Sequence, residues 1–126
     1  MELSNTDFGG ARPIEAYGDG GFRLDKKRVD GSMILLPGRG MFPWSIVSPD
    51  EMTAGAFEML VEAQGTFDLI LIGSGNQLVR PPKETRDYLA GIPLHIEVMD
   101  TGAACRTYNV LLSENRRVAA ALLAVG

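Results

Sequence analysis

The sequence predicts an α/β fold, with a mixed, mainly parallel sheet in the second half and an antiparallel hairpin region before it. Three observations carry this reading. From Ser48 onward, apolar strand-type runs alternate with helical patterns, as in parallel strands joined by crossover helices. Residues 13–39 hold only short apolar stretches broken by Gly and Asp, as in tightly connected antiparallel strands. The chain has 126 residues, 45% apolar and 22% charged, enough for one domain with a real core. The expected division is a flexible N-terminal arm, residues 1–12, and a single α/β domain, residues 13–126.

The elements follow in order. Residues 1–12 are polar and aperiodic, hence the arm. Residues 14–17 form a short strand, stopped by Gly18-Asp19-Gly20-Gly21. Phe22 and Leu24 alternate with Arg23 and Asp25, the period-2 pattern of a half-exposed strand. Asp25-Lys26-Lys27-Arg28 reads as a solvated hairpin tip, and Asp30-Gly31 as a hairpin-type turn. Residues 32–36 are an apolar strand ended by Pro37-Gly38. The stretch 40–47 contains Pro43, which confines it to an edge or irregular strand.

The next segment opens with Ser48-Pro49-Asp50-Glu51, a capping box with Pro at the first helical position. Met52, Ala56, Met59, Leu60 and Ala63 continue at helical spacing, and Gly65 ends the run. Residues 69–72 (Leu-Ile-Leu-Ile) show no polar alternation, which suits a strand covered on both faces. Pro81-Pro82 precedes a short helix, 83–90. Residues 94–98 alternate as a strand. Asp100-Thr101-Gly102 leads into a helix with Ala104, Tyr108, Leu111 and Leu112 on one stripe. Residues 117–125 are the last strand. The resulting β-α-β-α-β-α-β order implies right-handed crossovers.

Composition excludes several classes of function. Twelve basic against sixteen acidic residues give a net charge of −4, without the clustered cations that phosphate neutralisation needs. One Cys allows no internal disulfide, and one Cys with one His cannot build a four-ligand zinc site. No basic–apolar signal or Arg-rich presequence opens the sequence. The apolar tail 118–125 is far short of the ~20 residues of a membrane span. A cytoplasmic protein is the expectation.

Two strand-to-helix junctions are the candidate site: Gly73-Ser74-Gly75-Asn76 and Asp100-Thr101-Gly102-Ala103. Ligands of open α/β sheets bind beyond the carboxyl ends of strands, and helix N-termini favour anions. The junctions are expected to flank a crevice with Arg80 and Arg106 as anion partners, or else to be tight turns with capping residues. The dinucleotide and phosphate-loop fingerprints are incomplete. Cys105 with His95 is a candidate dyad, against which stands a small core residue beyond the helix's first turn. Glu97 and Asp100 are candidate bases, with Asp100 also a helix cap. Met41, Phe42 and Trp44 form either a partner patch or a core edge. No catalytic set, metal site or cofactor is assigned. An exposed sheet edge would permit a homodimer.

Two stretches resemble a known family. Met99-Asp100-Thr101-Gly102-Ala103-Ala104-Cys105-Arg106-Thr107-Tyr108-Asn109-Val110-Leu111, with Arg117-Val118-Ala119-Ala120-Ala121-Leu122, is similar to its most distinctive segment. Leu69-Ile70-Leu71-Ile72-Gly73-Ser74-Gly75 with Arg80-Pro81-Pro82 resembles its second block, and Gly21-Phe22 and Gly31-Ser32 fit its N-terminal part. The family includes mitochondrial complex I assembly factor three, the adipogenesis-associated Mth-type domain protein and many uncharacterised prokaryotic proteins. The resemblance spans about residues 13–125. It implies a compact three-layer α/β fold. It implies a role in assembling NADH:ubiquinone oxidoreductase, with protein partners and peripheral attachment to the inner membrane through one of them. It implies no established activity, cofactor or substrate. The best site candidates it leaves are Gly73, Ser74, Gly75, Arg80, Asp100, Thr101, Arg106 and Asn109. The chain looks like a prokaryotic member. The alternative function is a small-molecule or anion binder, or an enzyme, using the crevice.

Overall fold

The computed structural model describes residues 12–126. The arm expected over residues 1–12 lies outside these, apart from Arg12. Eight strands are described: β1 (Ile14–Gly18), β2 (Gly21–Leu24), β3 (Lys27–Asp30), β4 (Ser32–Leu36), β5 (Gly40–Trp44), β6 (Leu69–Gly73), β7 (Ile96–Met99) and β8 (Val118–Leu122). The α-helices are α1 (Glu58–Glu62), α2 (Lys83–Ala90) and α3 (Thr101–Ser113).

β1, β2 and β3 form a small antiparallel sheet. The other five strands form the central sheet in the order β5-β4-β8-β6-β7. β4 pairs antiparallel with β5 and β8, while β6 pairs parallel with β8 and β7. The sheet is therefore mixed, as the sequence predicts, with its parallel half in the second half of the chain.

Strand periodicity divides the core in two. Met33, Leu35, Leu69, Leu71, Val118, Ala120 and Leu122 point to one face, where they meet Ala104, Cys105, Tyr108 and Leu112 of α3 and Ile14 and Phe22 of the small sheet. Ile34, Leu36, Ile70, Ile72, Ala119, Ala121 and Leu123 point to the other, against Met52, Phe57, Leu60 and Leu89. Three layers result: α3 with the small sheet, the central sheet, and α1 with α2. β8 runs through the middle with Ala at three successive positions, and small side chains there let helices on both faces approach closely.

Two turns differ from the sequence reading. The β2–β3 turn is Asp25-Lys26, both with positive φ (52° and 65°), as a two-residue hairpin of primed type requires. The charged run therefore covers both the tip and the start of β3. Asp30-Gly31 does not make a hairpin. Gly31, at φ +86°, carries the chain from the small sheet to the central one, and its N–H donates to the Gly20 carbonyl at 2.8 Å. Gly21 is required by proximity: a Cβ there would lie 2.3 Å from the Val29 carbonyl oxygen.

The long helix expected after Ser48 is broken into two 3-10 turns, Pro49–Glu51 and Ala54–Phe57, and the five-residue α1. The cap works as expected, since the Glu51 carboxylate accepts the N–H of Val47 at 2.7 Å and of Ser48 at 3.2 Å. Propagation fails at Met52. This residue is fully buried, with ψ at +67°, and its carbonyl accepts the buried Thr85 hydroxyl at 2.7 Å instead of a helical N–H. Gly55, three residues beyond the break, adds a poor helix former.

Candidate functional site

The two predicted junctions do meet. Gly73 ends β6, and Asp100 caps α3 with its Oδ1 accepting the Ala103 N–H at 2.9 Å. Between them lies a set of hydrogen bonds rather than a crevice. The Ser74 N–H donates to the Met99 carbonyl at 2.9 Å, and the Thr101 N–H to the Gly75 carbonyl at 2.8 Å. The Gly75 N–H donates to Thr101 Oγ1 at 2.9 Å, and that hydroxyl donates to the Leu123 carbonyl at 2.8 Å. Ser74 Oγ donates to the Gln77 carbonyl at 2.6 Å and accepts the Val79 N–H at 2.9 Å. Ser74 and Thr101 are both buried. A Cβ on Gly73 would sit 2.9 Å from Leu122 Cδ2 and 3.0 Å from Thr101 Cα and Oγ1. Gly73, Ser74, Gly75 and Thr101 therefore have their capacity used in joining β6, α3 and β8. The expected crevice is closed because its polar groups satisfy each other.

The expected anion partners lie on opposite sides of the sheet. Arg106, on α3, donates to the Tyr17 hydroxyl at 2.8 Å. The Tyr17 ring lies so close to Gly102 that a Cβ there would meet its hydroxyl at 2.8 Å. Arg80 instead lines a cavity on the α2 side, of about 260 Å³, which Asp100 and Arg106 do not reach.

Asn109 proves to be a staple. Its Oδ1 accepts the Ile14 N–H at 2.8 Å and its Nδ2 donates to the Ile14 carbonyl at 2.9 Å, fixing β1 to α3 across 95 residues of sequence. Asn109→Leu leaves both backbone groups unpaired and is expected to cost about 2 kcal/mol. Urea unfolding measures the loss, and faster amide exchange confined to β1 would locate it. Unchanged exchange in β1 would refute the stapling role.

The candidate dyad is not assembled. Cys105 packs into the core under α3, 2% exposed. Burial pushes its thiol up to about 12, Arg106 opposing weakly and Asp100 adding to the rise. His95 is exposed, and its Nε2 pairs with Glu97 Oε2 at 3.1 Å, so both expected bases are engaged with each other. The aromatic patch is also redrawn. Trp44 is 7% exposed, its Nε1 donates to the Ala56 carbonyl at 2.9 Å, and its ring packs against Phe57 at 5.7 Å. Met41 and Phe42 are half-buried against opposite cores. Trp44 is a core edge because its one polar atom finds an internal partner. Among the described residues, no cluster of His, Cys, Asp and Glu could hold a metal.

Sequence reading missed Arg86, which lines the same cavity as Arg80. Its spacing from Leu89 and Ala90, three and four positions on, places all three on one face of α2, and that periodicity is the signal that could have found it.

Fold and site together define a small three-layer α/β domain with a mixed central sheet and closed strand-to-helix junctions, an architecture that by itself assigns no reaction. The model of one family, described as a protein of unknown function (DUF498/DUF598), matches residues 14–123. The chain belongs to that family. It is 39% identical over 123 residues to an uncharacterised protein of Rhodobacter capsulatus, covering 98% of this chain and 93% of that protein. It is 28% identical over 123 residues to NADH dehydrogenase [ubiquinone] 1 alpha subcomplex assembly factor 3 of Mus musculus, covering 98% of this chain and 66% of the assembly factor. A crystal structure described as an outer membrane protein from Bartonella henselae superposes with a TM-score of 0.84 at 40% identity, covering 94% of this chain and 99% of that one. Among the described residues, no helix is long and apolar enough to cross a membrane.

Proposed function

We propose that the chain is a non-enzymatic assembly or interaction factor for respiratory complex I, working from the cytoplasmic side of the inner membrane through a protein partner. The observation that carries this is its similarity to a complex I assembly factor along 98% of its length. The surface supports it. Leu78 and Val79, 57% and 43% exposed, stand on the loop after β6. Pro43 and Met59, both exposed, line a shallow depression of about 410 Å³ beside β5, next to the buried Trp44. Exposed apolar groups of this kind favour a protein partner. The test is affinity capture from membranes of the native host, with a deletion strain assayed for NADH:ubiquinone oxidoreductase. Co-purification of complex I subunits or assembly partners, and a complex I defect on deletion, are expected. An intact complex I with no such co-purification would overturn the reading.

A homodimer is a further proposal, because β7 is an edge strand of the central sheet and edge strands pair readily. An antiparallel copy centred on Ile96 would set His95 opposite Glu97 of the second copy. A monomeric mass by light scattering at high concentration would exclude it.

A further inference from the structure

The cavity between α2 and β7 combines two features that no assembly role requires. Its walls are aliphatic: Ile72 from β6, Ile96 and Val98 from β7, Leu89 from α2, and Leu94 from the loop between them. α2 has only eight residues, about 12 Å of helix. It leaves Leu94, Ile96 and Val98 half-exposed along the edge of the sheet. Water therefore sits against apolar surface that a ligand could cover.

The second feature is charge. Arg80 and Arg86 also line the cavity, while no carboxylate does. Both are exposed, so their aliphatic stems can lie along the wall with the charged ends at the opening. Arg86 Nε donates to the Pro81 carbonyl at 3.1 Å, which orients the guanidinium and leaves its Nη groups available. The nearby Asp87 is engaged by Lys83 at 2.7 Å. Among the described residues neither arginine has an ion pair.

We propose that this cavity binds a small amphiphilic monoanion, an aliphatic carboxylate whose chain lies against Ile72, Leu89, Ile96 and Val98 while its head group meets Arg80 and Arg86. A carboxylate fits a guanidinium by paired hydrogen bonds. A polyphosphate would leave the aliphatic wall uncovered, and a cation would be repelled. The volume, about 260 Å³, restricts the ligand to a short or medium chain.

The test uses the full chain, isotope-labelled, titrated with octanoate below its micelle concentration and in parallel with octanol and inorganic phosphate. Octanoate is expected to give saturable amide shifts at residues 72, 80, 89, 96 and 98. Octanol and phosphate should each bind at least about tenfold more weakly, since each lacks one half of the recognition. Arg80→Gln and Arg86→Gln, both surface changes, should each weaken octanoate by about tenfold or more, with Arg86→Lys retaining part of the affinity. Equal binding of octanoate and octanol, shifts scattered over the surface, or undiminished affinity in the double Gln variant would overturn the proposal. The readout is independent of complex I, so it stands or falls apart from the assembly role.

Discussion

Replacing Thr101 by Val is expected to lower the unfolding free energy by about 2–4 kcal/mol, although the two side chains have nearly the same shape. The Thr101 hydroxyl is fully buried, donates to the Leu123 carbonyl and accepts the Gly75 N–H. Valine offers neither function, so a donor at the end of β6 and an acceptor just beyond β8 both lose this partner. Unpaired buried polar groups cost more than a net hydrogen bond contributes. Thr101→Ser keeps the hydroxyl and removes one methyl, so its loss should be near 1 kcal/mol. Urea unfolding of the three proteins provides the comparison. A valine variant as stable as the serine variant would mean that the hydroxyl does not hold the junction. The prediction also bears on function: if the junction is scaffold, partner capture by the folded valine variant should match that of the parent chain.

Much of this fold is legible in the sequence because the central strands are buried on both faces. Leu69-Ile70-Leu71-Ile72 and the run from Val118 carry no polar residue, so their periodicity cannot be confused with that of an exposed element. Asp100 at the head of an apolar helical stripe marks α3 equally well. Elements whose shape depends on distant contacts are less legible. The helix after Ser48 carries every local starting signal, yet Met52 drops into the core and gives its carbonyl to Thr85, 33 positions away. β3 was hidden because Lys27, Arg28 and Asp30 face solvent and only Val29 is half-buried.

The two junctions are legible in the sequence, but the relation among their residues is not. Local composition brings Gly73–Gly75 and Asp100–Thr101 to neighbouring strand ends. It does not show that Thr101 bonds across to Leu123, a pairing set by the position of β8. Arg80 and Arg106 look interchangeable in sequence, but α2 and α3 cover opposite faces of the sheet. Trp44 looks like a surface aromatic beside a proline until Ala56 supplies a carbonyl for its indole nitrogen.

Stability is expected to fall steeply above about pH 9, and α3 is the cause. Cys105 and Tyr108 lie one turn apart on the buried face of α3. Burial raises the Cys105 thiol from 9.0 to about 12, and raises the Tyr108 hydroxyl well above its ordinary 10.0. Both groups remain protonated in the fold at pH values where the unfolded chain has released the proton. Their contribution is therefore complete below pH 9 and is lost as pH rises toward the folded values. The unfolded state binds fewer protons in that window, so the unfolding free energy declines, by about 3–4 kcal/mol between pH 9 and 11 for the two groups together. Cys105→Ala should cost about 1 kcal/mol at neutral pH, from the small void it leaves, and should remove most of the decline between pH 9 and 10 and roughly half of that between pH 10 and 11. Tyr108→Phe should leave the curve below pH 10 nearly unchanged and reduce the slope between pH 10 and 11 by roughly half, Cys105 supplying the rest. Urea unfolding at pH 8, 9, 10 and 11 resolves the two contributions, and thiol labelling at pH 8 gives an independent check: slow in the folded chain, rapid once urea opens it. If Cys105→Ala kept the parent's alkaline slope, or the native thiol were labelled as fast as the unfolded one, Cys105 would be more exposed than its place under α3 allows, and its exclusion from chemistry would have to be abandoned.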